Sequence, residues 1–369
     1  MSKEARHAND TEAAVETPTE GRADQALRVP MMRPLSDPTS IENLSLEYNE
    51  EIRDRIMTEA RATELPEDLA FLVEYYDDVI GDRTEFLTRW LFYLFEELEL
   101  SCVPAEHAET ACEIKTIMTM YDTLLDDLSE KHDDLETFWE IAKAVLPRSE
   151  PDWDRDDLNQ EYLDVGEKVW KTIDRKLKQA PRYEEFEEQF HFDMRQAVNA
   201  MDYSRVALRN PGLSNLTEAW HHSPHNMMMY GFVDVDVMFS PEFDRRDLRP
   251  LREVVDELQH MWRIGNWVIT WERELEEHDY TAGIVIAARQ RGLIDEEIID
   301  ELEAGETTAA EIADRIDETQ IEESFVADWD RRRQRARLRA DEFDSIDLDA
   351  YVDGMEFLMQ NHLATRGHR

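Results

Sequence analysis

The chain has 369 residues, with 41 Lys or Arg against 86 Asp or Glu and a formal net charge of −45. Its acidic residues run along the whole length, so the surface repels nucleic-acid phosphates and anionic lipid, excludes a nucleic-acid partner, and suits the salt-rich cytoplasm of a halophilic organism, where screening shortens self-repulsion. Two cysteines, Cys102 and Cys112, without zinc-like spacing, and no apolar run of the roughly 18 residues that span a bilayer, exclude a disulfide framework, a structural zinc site and stable membrane insertion.

Residues 1–26 are polar and charged, too poor in large apolar side chains to repay the entropy of ordering, and are expected to form a disordered tail. Residues 27–369 are expected to form a single α-helical domain. It opens on a proline-punctuated strand or coil, LRVPMMRPLSDPTS. Helix formers dominate thereafter, interrupted at Glu64-Leu65-Pro66, Ile80-Gly81-Asp82 and 148–151, which predicts twelve to fourteen helices without a repeat. The fold class is therefore all-α.

Leu87–Leu98 (LTRWLFYLFEEL) and Ile114–Leu125 are apolar almost all round, as helices that line the interior of a large bundle would be. The second run ends in YDTLLDD, residues 121–127. Asp122 and Asp126 are four apart, so their carboxylates leave one helix face together and suit a hard cation, with Asp127 adjacent. A solvated acidic helix end would look the same in a chain this acidic.

Next comes WHHSPHNMMMYGF, residues 220–232, an apolar stretch interrupted by Pro224 and Gly231 and carrying His221, His222 and His225. Downstream, in NWVITWERE (266–274), Asn266, Thr270 and Glu274 recur every four residues as one polar stripe among tryptophans. An amide oxygen, a hydroxyl and a carboxylate on one stripe make a cation chelate if buried, or ordinary helix back-bonding if not. Residues 307–316 look like the first helix of a helix-turn-helix, but the acidic DETQIEE that follows argues against a DNA-recognition helix.

Taken together, the two motifs resemble those of class I terpene synthases, which carry an Asp-rich motif near the end of one helix and, well downstream, Asn-Asp-x-x-Ser/Thr-x-x-Lys/Arg-Glu on another. NWVITWERE matches the second pattern in order, with Trp267 at the usual Asp, and 144 residues separate Asp122 from Asn266.

The resemblance implies a single helical bundle around a central cavity, with Mg²⁺ (three ions with bound diphosphate) held by Asp122, Asp126, Asp127, Asn266, Thr270 and Glu274. It places Arg273 against the diphosphate of a prenyl diphosphate substrate. No Arg occurs between Arg209 and Arg245, where the family carries a diphosphate-sensing Arg, which leaves His225 and the C-terminal Arg366 as substitutes. Phe92, Tyr93, Phe95, Trp220, Tyr230 and Phe232 are the expected aromatic walls for a carbocation.

The implied reaction is loss of diphosphate from a C15–C25 allylic substrate to give a terpene, in a cytoplasmic enzyme for which a homodimer is allowed. Prenyl coupling of the squalene or phytoene synthase kind, and a catalytically inert helical binding protein, are the alternatives.

Overall fold

A computed structural model describes residues 49–81 and 85–366. The expected tail at 1–26 and the proline-punctuated opening of the domain lie outside the described residues. Among those described there are fifteen α-helices and no strand. The all-α expectation holds, and the count exceeds it because short pieces such as 296–303 and 309–317 each carry their own cap.

In chain order the helices are α1 (Glu50–Ala62), α2 (Glu67–Val79), α3 (Glu85–Glu97), α4 (Ala105–Asp126), α5 (Leu135–Ala142), α6 (Gln160–Leu177), α7 (Tyr183–Arg209) and α8 (Leu216–His222). They continue with α9 (Met229–Met238), α10 (Leu248–Glu276), α11 (Gly283–Gln290), α12 (Glu296–Glu303), α13 (Ala309–Asp317), α14 (Ile321–Arg337) and α15 (Leu348–Thr365). Their starts follow from side chains that satisfy otherwise orphaned amides. Asn49, Asp134, Asn159, Asn215, Asp295 and Asp347 each accept from a first-turn N–H, and Thr308 forms a reciprocal capping box with Glu311.

Two long helices organise the bundle. α4 packs against α3, α6, α7 and α9, while α10 packs against α9, α11, α13, α14 and α15. As their apolar sequences require, Ile114, Ile117, Met118, Leu124 and Leu125 on α4 and Ile264, Trp267, Val268 and Trp271 on α10 are completely buried. α4 is pinned to α9 by an ion pair with no solvent exposure: Lys115 Nζ lies 2.9 Å from Asp236 Oδ1 and also donates to the Leu98 carbonyl at 2.7 Å. Asp236 Oδ2 accepts from the Leu100 N–H, so both charges are satisfied where they are desolvated.

Two irregularities shape the region between α4 and α10. The end of α4 widens into a π-helical turn over Asp127–Lys131, a device frequent at functional sites. Between α8 and α9, Ser223–Met227 forms a 3₁₀ turn, and Met228 then takes the left-handed conformation at φ 51° before α9 begins. A left-handed non-glycine residue costs about 1–3 kcal/mol, which the packing of the buried Met228 and Met229 side chains must offset.

Gly354 sets how closely α15 approaches the end of α3. A Cβ there would lie 2.5 Å from the Glu97 carbonyl oxygen and 3.0 Å from Leu98 Cδ2. Gly354→Ala is expected to destabilise the fold by ~1–3 kcal/mol through overpacking against backbone that cannot yield. Chemical denaturation checks this, and an unchanged midpoint would contradict the tight approach.

Candidate functional site

A cavity of about 350 Å³ opens between α3, α4, the break before α9, α9, α10 and α15. Phe86, Leu87, Trp90 and Leu91 line it from α3, and Thr119, Asp122 and Thr123 from α4. The break supplies Asn226, Met227 and Met228, α9 supplies Phe232, α10 supplies Trp262, Asn266, Thr270 and Arg273, and α15 supplies His362. Asp122 of the α4 motif and Asn266 and Thr270 of the α10 stripe therefore face one chamber, from different helices, with an apolar and aromatic wall below them, while Asp126 and Glu274 are not among its lining residues.

Asp122 is 7% exposed, and its Oδ1 is buried without a hydrogen-bond partner among the described residues. Burial raises its pKa well above the ordinary carboxylate value; Asp126 and Glu130 raise it further, and Arg263 opposes them. Asp126 is within reach of the Asn226 amide at 3.4 Å, which ties the α4 motif to the helix break.

On α10, Thr270 donates to the Asn266 carbonyl at 2.8 Å, and Arg263 Nη1 donates to Asn266 Oδ1 at 2.9 Å. Glu274 sits one turn beyond Thr270, with its pKa pushed up to about 7 by burial first and Asp279 second, against Arg263 and the Thr270 hydroxyl.

Three side chains absent from the sequence expectation complete the mouth. Glu130, in the π-helical turn, has its pKa raised by desolvation and then by Asp126, Asp279 and Glu274. It stays exposed at the open rim, so water relieves part of that burden. Asp279, in the loop after α10, is raised by burial while the Thr281 N–H and hydroxyl hold it down. Arg263, 9% exposed with its guanidinium 5.1 Å from the Trp267 ring, is the cation that lowers Asp122, Glu130, Glu274 and Asp279 together.

Several expected residues lie elsewhere. Asp127 faces Lys131, at 2.9 Å, and is not on the cavity wall, because the π-helical turn changes the phase of the helix. Phe92 lines a separate groove with Glu64, Leu65 and Glu96, and Tyr93 is edge-on to Phe357 with its hydroxyl donating to Glu59. Both point away because the α3 face toward the cavity carries Phe86 and Leu87 and, one helical turn on, Trp90 and Leu91.

Trp220 stacks on His260 and Phe325 behind α10, and the Tyr230 hydroxyl donates to the Arg252 carbonyl. His225 is hydrogen-bonded to Gln259 and stacked on Tyr230, while Arg366 pairs with Glu272 at 2.8 Å and Glu322 at 3.4 Å, so neither reaches the chamber. Phe95 stands one layer behind the wall, 4.7 Å from Phe232 and 6.0 Å from Trp262. Of the expected aromatic wall, Phe232 alone lines the cavity; Trp90, Trp262 and Phe86 take the other places.

The donor set fits Mg²⁺ by its chemistry: carboxylate, amide and hydroxyl oxygens, one of them a buried carboxylate oxygen without a partner. Among the described residues no three His, Cys, Asp or Glu side chains group tightly enough to hold an ion alone. Any ion here would complete its shell with water and substrate oxygen, as Mg²⁺ commonly does.

No family model matches the chain, and no curated protein sequence does. Solved structures do match the described geometry. Abietadiene synthase from Abies grandis superposes with a TM-score of 0.54 at 12% identity, over 86% of this chain and 38% of that one. A polyprenyl synthetase from Streptomyces coelicolor A3(2) gives 0.56 at 14% identity, over 84% and 98%. The chain has the isoprenoid synthase fold.

Isoprene synthase from grey poplar leaves (Populus x canescens), in complex with three Mg²⁺ ions and dimethylallyl-S-thiolodiphosphate, shares it too, with a TM-score of 0.52 at 13% identity over 85% of this chain and 54% of that one. The chain thus spans well under two thirds of the two plant proteins. Within the isoprenoid synthase fold, the residues the sequence missed are of two kinds. Trp262 lies four before Asn266, so extending that stripe by one turn would have found it; Glu130, in the π-helical turn, and Asp279 and His362 carry no such signal.

Proposed function

We propose that the chain is a Mg²⁺-dependent terpene synthase that ionises an allylic prenyl diphosphate, C15–C25, and releases a terpene and pyrophosphate. The observation that carries this is the shared cavity: Asp122 on one helix and Asn266, Thr270 and Arg273 on another line one chamber whose remaining wall is largely apolar and aromatic.

Bound Mg²⁺, held by Asp122, Asp126, Asn266, Thr270 and Glu274, would neutralise diphosphate charge and so assist its departure. The protein's own groups do the rest. Arg273 at the cavity edge and Arg263 beneath it supply the positive charge that no Arg in the break provides. Asn226 and Thr123 offer hydrogen bonds at the rim, and Trp90, Trp262, Phe86 and Phe232 exclude water and turn π faces toward the allylic cation, each worth about 0.5–2 kcal/mol.

The oxygen donors of α10 are Asn, Thr and Glu where prenyl coupling of the squalene or phytoene synthase kind would use a second Asp-rich motif, which favours a terpene synthase. Among the described residues no helix is long and apolar enough to cross a membrane, and the acidic shell supports a salt-rich, cytoplasmic setting.

The test is incubation at high salt with Mg²⁺ and C10, C15, C20 and C25 prenyl diphosphates, with measurement of pyrophosphate and of hydrocarbon products. Release of both is expected, and a chelator should abolish it. A folded sample that consumes none of the four leaves the inert binding protein as the reading.

A further inference from the structure

The ionisation machinery explains how a cation would form but not how it would be quenched. An allylic cation leaves as an olefin only when a neighbouring C–H gives up its proton, and in a chamber built to exclude water the acceptors are the released diphosphate at the mouth and any basic side chain in the wall. Apart from Asp122 at the mouth, the polar residues lining the cavity are Thr119, Thr123, Asn226, Asn266, Thr270 and Arg273, none of which is a base near neutral pH. His362 is the other exception.

His362 is 1% exposed, on α15, and reaches the cavity between the aromatic wall and the backbone of α10. Its place is built from both sides. Toward α3, Trp90 lies edge-on to the imidazole, with ring centroids 6.1 Å apart and planes at 70°. The indole is fixed in turn, because Trp90 Nε1 donates to Asn361 Oδ1 at 3.1 Å and the Asn361 amide donates to the Phe357 carbonyl at 2.8 Å.

Toward α10, the room for the ring exists because residue 265 is glycine: a Cβ there would come 3.1 Å from His362 Cδ2 and 3.3 Å from Met359 Sδ. Gly265 immediately precedes Asn266, so the imidazole stands at the inner end of the polar stripe, beside the aromatic chamber.

We propose that His362 is the base that ends the reaction, a role that rests on the prenyl diphosphate reading above. In this step the C–H bond beside the cationic carbon breaks, its electron pair becomes the C=C bond of the olefin, and the proton passes to an imidazole nitrogen lone pair. The imidazolium then returns the proton to a released diphosphate oxygen or to solvent as product leaves. His362 is in this sense a catalytic residue that sets which olefin forms, and it plays no part in breaking the C–O bond.

The experiment uses the full-length protein with Mg²⁺ and whichever prenyl diphosphate the wild type consumes. Pyrophosphate release, product composition and thermal melting are measured for wild type, His362→Gln, which keeps the volume and polarity, and His362→Phe, which keeps the ring. Expected is a drop of about tenfold or more in the wild-type olefin as a share of products, beyond any fall in pyrophosphate release, with alcohols or other olefins replacing it. An unchanged product composition overturns the proposal. So does pyrophosphate release that falls in step with the olefin, since this would assign His362 to ionisation or to packing. Should the wild type consume no prenyl diphosphate, the underlying reading fails and His362 falls with it, an outcome visible without any variant.

Discussion

Asp122→Asn is expected to abolish most turnover while making the metal-free protein more stable, a pairing of opposite signs that packing residues do not give. The carboxylate lies in a nearly closed setting, with Oδ1 buried and unpartnered and with Asp126 and Glu130 repelling it. Leaving a buried polar atom unsatisfied costs about 1–3 kcal/mol, more when it is charged. A carboxyl whose pKa is raised on folding stabilises the fold while it is protonated, and loses that contribution as pH rises from its unfolded value near 4 through its folded value.

The metal-free wild type should therefore melt lower at pH 8 than at pH 5.5, with Glu274, pushed up to about 7, contributing across the same window. Asn at 122 removes one charge from the repulsion and should raise the pH 8 melting temperature. Its activity should fall ~10²–10³-fold, or about 3–4 kcal/mol of transition-state stabilisation. Added Mg²⁺ should raise the melting temperature of wild type more than that of the variant. A variant that keeps its activity, or that melts lower at pH 8, would remove Asp122 from the site.

The second large effect is expected at Arg263. Its guanidinium is nearly buried, donates to Asn266 Oδ1, and is the counter-charge to Asp122, Glu130, Glu274 and Asp279. Arg263→Met keeps much of the stem but leaves these carboxylates facing one another. Removing the guanidinium leaves Asn266 Oδ1 without its donor and the buried carboxylates without their counter-charge, at a cost of about 1–3 kcal/mol. The loss should be largest at pH 8 and shrink toward pH 5, since protonation removes the uncompensated charge; the same four groups have raised pKa values, so the sign follows from the same linkage.

Arg263→Lys should recover part of the stability, and both variants should raise KM for a diphosphate substrate. Equal destabilisation of Arg263→Met at both pH values would show that the side chain acts through its packing on Trp267 instead.

How much of this was legible in the sequence depended on whether the information lay within one helix. The all-α class followed from composition and periodicity. The α10 stripe followed from i, i+4 spacing, which is a local property, so Asn266 and Thr270 reach the cavity together. Which aromatics would line that cavity was not local. On α3 the whole run is apolar, so the sequence offered no phase to choose Trp90 and Phe86 over Phe92 and Tyr93; the packing of α1 and α15 against α3 decides it.

Trp220 went to the back of α10 because His260 and Phe325 stack on it there, and a tertiary stack leaves no mark in the sequence around residue 220. Asp127 lies off the cavity wall, paired with Lys131 in a π-helical turn that no spacing rule foretells. Arg263 lay three residues before a motif that had already been read, and its importance comes from its charge near Glu130 and Asp279 of other segments.

The mouth gathers Asp122, Asp126, Glu130, Glu274 and Asp279 around Arg263, on a chain whose formal charge is already −45. That arrangement bears on the kinetics of encounter. A bare diphosphate drifting toward this opening climbs an electrostatic barrier, in contrast to the steered approach of an anion to a basic funnel. Capture is then governed by the concentration of the cation-complexed substrate, whose charge is lower, and rising ionic strength speeds association by flattening the barrier where it would slow a steered encounter. The acidity that equips the rim to hold cations thus also decides in which ionic form a substrate arrives.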